Sequence, residues 1–187
     1  MHRRTAAVVA AVAALGASAV AVAPASAAQN TITLKGKTHF KAGKFIKDDQ
    51  RFVAPSNKVK SGGTVKVVNK TKNHEPHTLT FIEKKFIPTS FDVNEDLNNN
   101  LLAAHQVDPN NEEAPPGVFI VDDGQPLADG ATWGVDSAFS DTNANGDSAF
   151  IAPDENGPSF EVTAAKGSTL YYFCAIHPWM SGKLRVK

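Results

Sequence analysis

Near the C-terminus the chain places its only cysteine, a histidine and a methionine at three-residue intervals, in Cys174-Ala175-Ile176-His177-Pro178-Trp179-Met180. Two runs of strand-forming residues flank this segment, Thr169-Leu170-Tyr171-Tyr172-Phe173 before it and Lys183-Leu184-Arg185-Val186 after it. A turn between two such runs gathers all three side chains around one point. Thiolate, imidazole and thioether together form a soft donor set, which selects copper over the hard cations. The set needs one more imidazole from elsewhere, and His77, at the start of the β-like run Thr78-Leu79-Thr80-Phe81-Ile82 and just after Pro76, is placed to supply it.

The N-terminus reads as a secretory signal. His2, Arg3 and Arg4 make a positive head, Ala6 to Ala23 is an Ala/Val-rich apolar run, and Ala25-Ser26-Ala27 is a small-residue cleavage pattern. A membrane anchor is the competing reading, and a run so rich in weakly apolar Ala followed by A-x-A argues against it. No later segment is apolar enough to span a bilayer. The expectation is therefore a signal peptide at 1–27 and one exported domain at 28–187, secreted or periplasmic. The whole chain balances 19 Lys+Arg against 19 Asp+Glu, so loss of Arg3 and Arg4 leaves the mature chain slightly acidic. Exported proteins usually pair their cysteines. A lone one points to an intermolecular bridge, a free thiol or another duty, with a buried core cysteine as the plain alternative; metal ligation would protect the sulfur from oxidation.

Short runs bounded by Gly, Pro, Asn and Asp predict an all-β antiparallel sandwich or barrel. They are Thr31–Leu34, Arg51–Ser56 stopping at Pro55, Val59-Lys60 before a Gly62-Gly63 turn, Thr64–Asn69, Thr78–Ile82, Phe160–Thr163, Thr169–Phe173 and Lys183–Val186. The stretch from about 83 to 158 is rich in Asn, Asp, Pro and Gly and reads as extended loops around one apolar run, Val118–Val121. Its one helical candidate is Asp92 to Gln106, carrying Leu97, Leu101, Leu102 and His105, weakened by Asn98-Asn99-Asn100. Charge is uneven: eleven Lys/Arg face only Asp48 and Asp49 between Lys35 and Lys72, whereas sixteen acids face Lys84 and Lys85 between Glu83 and Glu161. Two solvated faces are the plain reading; a surface that steers charged redox partners is the sharper one.

The ligand loop closely resembles that of amicyanin, with its short Cys-x-x-His-x-x-Met spacing, and Pro76-His77 resembles the upstream ligand motif of the same family. Phe52, Pro55, Val59, Lys60, Gly62, Val65, Val67 and Asn69 are similar to the strand pattern ahead of that ligand. The chain thus resembles the small cupredoxins of the plastocyanin, amicyanin and pseudoazurin kind over about Lys35 to Ile82 and Phe160 to Lys187. The resemblance implies an eight-stranded Greek-key β-sandwich with one type 1 copper. Cys174, His77 and His177 would be the equatorial ligands and Met180 the weak axial one. It implies one-electron transfer between transient redox-protein partners by a monomer that binds no nucleic acid and is not inserted in a membrane. It also implies that His177 is the more exposed histidine ligand, set in an apolar patch with Pro178 and Trp179, where electrons pass. Two positions depart from the family. Thr78 stands where an Asn often follows the first ligand, leaving the contact to the Cys loop open. His77 and Cys174 are 97 residues apart, so the loop-rich segment at about 83–158 is an insertion.

Among other residues, His74 could compete with His77, but the Pro-His pattern and the following strand favour His77. His39 and His105 are expected at the surface and Trp133 in simple packing. Asp141-Thr142-Asn143-Ala144-Asn145-Gly146-Asp147 matches half of a calcium loop, with Ala152 where the bidentate Glu belongs, so a turn is preferred and calcium is the alternative. No catalytic set emerges. A copper carrier or storage module using the same residues, and a structural β-sandwich working through its acidic insertion, are the two other functions considered.

Overall fold

The structure, a computed structural model, describes residues 30–89, 101, 103, 105, 120–122, 125–126, 134–135 and 146–187. The proposed signal at 1–27, most of the 83–158 segment, Trp133 and residues 141–145 of the calcium-like loop lie outside them.

Two sheets carry the molecule. The smaller is built from β1 (Asn30–Gly36), β4 (Arg51–Val53), β6 (Gly63–Thr71), β10 (Gly134–Val135) and β12 (Phe160–Val162), in the order β10-β12-β6-β1-β4. The larger is built from β5 (Lys58–Val59), β7 (His77–Ile82), β8 (Ile120–Asp122), β9 (Gln125–Pro126), β11 (Ser148–Ile151), β13 (Thr169–Phe173) and β14 (Ser181–Val186), in the order β5-β14-β13-β7-β11-β8-β9. A separate two-stranded ribbon pairs β2 (Thr38–Lys41) with β3 (Phe45–Asp48). Period-two burial explains how the sheets face each other. Ile32 and Leu34 on β1, Val65 and Val67 on β6, and Phe160 and Val162 on β12 point inward from one side. Leu79 and Phe81 on β7, Leu170 and Tyr172 on β13, and Leu184 and Val186 on β14 meet them from the other. Phe81 sits edge-on to both Phe160 and Tyr172, with ring centroids 5.5 and 5.9 Å apart. Each such side chain contributes about 1.5–3 kcal/mol on leaving water.

The sandwich matches expectation, but the sheets are mixed rather than antiparallel. β1 runs parallel to β6, β10 to β12 and β5 to β14. The cause is connectivity: between β4 and β7 the chain crosses from sheet to sheet at each step, in the arching manner of Greek-key folds, and β1 and β6 meet only after that excursion. The Gly62-Gly63 corner serves one of these crossings. Gly62 has φ +74°, and a Cβ on Gly63 would lie 2.8 Å from the Lys60 carbonyl oxygen, so the tight turn at β6 admits only glycine.

Like its neighbour β11, strand β7 is buried along its whole length. Its inner face meets the core. Its outer face is covered by Leu101, Phe173 and Ala175, which cluster with Ile82. Leu101 and Ala103 are helical, and the His105 N–H bonds the Leu101 carbonyl at 3.0 Å. The described part of the helical candidate is therefore a lid on the sheet.

Candidate metal centre

The loop joining β13 to β14 is pinched by its own backbone. The Cys174 N–H bonds the Met180 carbonyl at 3.0 Å, and the Met180 N–H bonds the His177 carbonyl at 2.8 Å. This folding back turns Cys174 and His177 toward β7, where His77 occupies the first position. The ligand atoms of His77, Cys174 and His177 lie within 4.8 Å of one another. Both imidazoles face the sulfur through Nδ1, at 4.0 Å for His77 and 3.6 Å for His177, and their rings are 4.7 Å apart. Met180 is fully buried in the same cluster as Cys174. A thiolate and two ring nitrogens converging in a dry pocket can hold a metal ion.

Two backbone N–H groups support the sulfur, from Thr78 at 3.3 Å and from His177 at 3.4 Å. The Thr78 hydroxyl accepts from the Ala175 N–H at 2.8 Å. The contact that Asn often makes to the cysteine loop is thus made here by Thr78. Burial pushes the Cys174 thiol up, but hydrogen bonds and positive charge from His177 and His77 outweigh it and bring the pKa down to about 6. Burial pushes His177 down, and Cys174 and Glu75 more than compensate, so its pKa is raised.

The far nitrogens are held as well. Nε2 of His77 meets the Thr71 hydroxyl at 3.2 Å. Nε2 of His177 lies 3.0 Å from a Glu75 carboxylate oxygen. The Gln50 amide nitrogen bonds Glu75 at 2.7 Å and Asp48 at 2.9 Å. With Nδ1 turned to the sulfur, Nε2 carries the proton and donates it to Glu75. A carboxylate behind a ligating histidine fixes the tautomer and raises the basicity of the other nitrogen. Glu75 and Gln50 were not singled out in the sequence; the adjacency Glu75-Pro76-His77 was the available signal.

Two expectations are corrected. His177 is the more exposed of the two histidines, at 5 % against 0 % for His77, but its surround is not the expected apolar patch, because Gln50 and Glu75 cover it on one side. Trp179 lies edge-on to it at 5.3 Å and, at 39 % exposed, is the aromatic that reaches the surface. His105 is not a surface histidine but fully buried, with Nε2 2.8 Å from the Ser148 hydroxyl; the lid places it under the sheet. His39 is half-exposed beside Asp49 at 3.7 Å. His74, in the left-handed region at φ +54°, is turned to Asp154 at 2.5 Å and stands outside the cluster.

Compared with known proteins, the chain matches no family model and no curated protein. Solved structures similar to the chain include two auracyanins. Auracyanin B is 19% identical with a TM-score of 0.38, the alignment covering 89% of this chain and 94% of that one. Auracyanin A, a "blue" copper protein from the green thermophilic photosynthetic bacterium Chloroflexus aurantiacus, is 17% identical with a TM-score of 0.32, covering 84% and 99%. At such low likeness, what the centre does has to be decided by this chain's own residues.

Proposed function

We propose that the protein is a cupredoxin that carries single electrons on one type 1 copper. The observation that carries this is the buried Cys174 sulfur faced by the Nδ1 atoms of His77 and His177. Cys174 Sγ and the Nδ1 atoms of His77 and His177 would hold the ion, and the buried Met180 would complete the donor set. The donor set fits: two soft sulfurs with two imidazoles favour copper over magnesium, calcium or manganese, and a His₂Cys set with a weak Met belongs to electron-transfer sites. When bound, copper supplies a reversible one-electron couple.

The protein's own residues do the rest. A pKa lowered to about 6 keeps Cys174 a thiolate at neutral pH, ready to bind. Thr78 and His177 N–H groups hold the sulfur in place, and N–H···S bonds set the electron density it offers. The two sheets lock the ligand-bearing backbone, so oxidation and reduction find the same geometry. His177, gripped between Cys174 and Glu75, keeps its orientation in both states. Trp179 is the ring through which electrons leave and enter, in place of an exposed His177 edge. Its partners are transient redox proteins, attracted by the Lys/Arg-rich stretch between Lys35 and Lys72. Residues 1–27 are the export signal, and 28–187 form the single working domain, a monomer.

A carrier that hands copper on needs a side open to an acceptor, whereas His77 and Cys174 are fully buried and His177 nearly so. The test is to add copper(II) to the purified mature protein. An intense blue colour, a narrow copper hyperfine splitting and a reversible one-electron couple are expected. Cys174→Ser should lose all three. Ready release of copper to a chelator without a reversible couple would instead identify a carrier.

A further inference from the structure

We propose that His105, on the segment between the two halves of the ligand set, is a positioning residue for the metal centre, acting through a buried row of hydroxyls. Four polar side chains line the outer face of the large sheet, and His105, Ser148, Thr80 and Thr78 are each 0 % exposed. His105 Nε2 lies 2.8 Å from Ser148 Oγ, Ser148 Oγ 2.8 Å from Thr80 Oγ1, and Thr80 Oγ1 2.9 Å from Thr78 Oγ1. Thr78 Oγ1 in turn receives the Ala175 N–H at 2.8 Å. Ser148 and Thr80 are direct partners across the β11–β7 ladder, so the row is built on paired strands and ends one residue past Cys174.

The polarity of the row follows from proton counting. A hydroxyl has one proton to donate. Thr80 spends its proton on Thr78, so Ser148 must be the donor to Thr80. Ser148 then has only lone pairs left for His105, and His105 must carry its proton on Nε2. The chain therefore reads His105 to Ser148 to Thr80 to Thr78, with the Ala175 amide arriving from the other end. Removing the first donor leaves the buried Ser148 oxygen without the proton it accepts, and no longer holds the Ser148 side chain in the rotamer that aims its own proton at Thr80. Thr78 is the point of leverage. Its hydroxyl holds Ala175 while its own N–H donates to the Cys174 sulfur, so one residue fixes both the loop and the thiolate.

Placement supports a role toward the site rather than toward stability alone. Apolar β-branched residues would cover this face without polar atoms to satisfy, since a buried hydroxyl without its partner costs about 1–3 kcal/mol. The row instead links the ligand loop to Leu101 and His105 of the lid, where Leu101 packs with Ile82, Phe173 and Ala175 and the His105 ring lies 6.1 Å from that of Phe150.

The experiment is amide hydrogen exchange, followed by NMR on the metal-free full domain, in His105→Phe, His105→Gln and Ser148→Ala. His105→Phe and Ser148→Ala should speed exchange of the Ala175 amide about ten-fold relative to the core amides of Val67 and Leu184, roughly the net worth of one hydrogen bond. His105→Gln, which keeps an N–H donor, should restore protection. If His105→Phe does not fold, Ser148→Ala removes a single oxygen and still decides the matter. An Ala175 amide that is unchanged, or that speeds up only as much as Val67 and Leu184, overturns the proposal, and so does a Gln variant that behaves like Phe. This readout needs no metal. A second arm rests on the copper reading: with copper added, Ser148→Ala should lower the reduction potential, because a loosened Thr78 N–H leaves more electron density on the sulfur. An unchanged potential beside a selectively loosened Ala175 amide overturns the role at the metal.

Discussion

The titration of Cys174 in the metal-free protein tests the centre without copper. The structure brings its pKa from an ordinary 9.0 to about 6, against the effect of burial and because of His177 and His77. At pH 7 a pKa of 9 leaves about one thiol in a hundred ionised, whereas a pKa of 6 gives roughly ten thiolates per thiol, a change of about a thousand-fold in the ratio. Ultraviolet thiolate absorbance followed against pH reads this directly, with Cys174→Ser as the blank. Buried Tyr172, pushed up to about 12, does not intrude on the window. Replacing His177 by Phe should move the midpoint up, and replacing both histidines should move it up further, since burial is then opposed only by the backbone N–H groups of positions 78 and 177. Linkage gives stability the same signature. The thiolate's pKa is depressed on folding, so its contribution is complete above pH 9 and is lost as pH falls through about 6. His177 acts in the opposite sense: with its pKa raised above 6.5, its contribution is present below 6.5 and fades as pH rises through the folded value. A midpoint near 9, or one indifferent to His177→Phe, refutes the placement of the imidazoles against the sulfur.

Other substitutions reach different parts of the molecule. Glu75→Gln removes a negative charge 3.0 Å from His177 Nε2 and should raise the copper potential in voltammetry; the half-exposed carboxylate limits the effect to about 1 kcal/mol, which is some 40 mV for one electron. Met180→Leu keeps the volume of a buried side chain, so the blue absorption should survive while the potential shifts, and loss of the colour would deny Met180 its axial position. Gly182→Ala places a Cβ 2.5 Å from the ring and hydroxyl of buried Tyr172, its partner across the β13–β14 ladder; thermal unfolding should show a loss of about 1–3 kcal/mol.

Most strands visible in the sequence have one face in the core; β7, buried on both, was legible instead from its β-branched and aromatic residues. In β1, Ile32 and Leu34 alternate with more polar neighbours, and Val65 and Val67 do the same in β6. The β11 strand went unread because Ser148-Ala149-Phe150-Ile151 is buried on both faces and shows no alternation. The β2–β3 ribbon went unread because Phe40, Phe45 and Ile46 are exposed, so burial leaves no periodic trace there. Parallel pairing was invisible too, since it depends on how distant segments meet. In the candidate site, three-residue spacing and one cysteine were enough to nominate Cys174, His177 and Met180, and Pro76-His77 nominated the fourth. What surrounds them was not legible. Gln50 reaches the site through tertiary contacts that no local pattern sets apart, and Glu75 was marked only by its place two residues before His77. The apolar patch around His177 was inferred from resemblance alone, and it is interrupted because the polar side chains of Gln50 and Glu75 stand on one side of the ring.

The order of strands along the chain governs when the pocket can exist. His77 lies on β7, but sulfur and second imidazole arrive only with residues 174–180, and β14 must then seat between β13 and β5. A nascent chain, emerging from its N-terminus, thus presents one imidazole and no thiolate for most of its synthesis. Such late, long-range closure slows folding, and metal capture becomes a finishing event that follows docking of the last strand. Losing that strand by truncation would leave β13 and β5 with bare edges, a surface on which neighbouring copies can pair and precipitate.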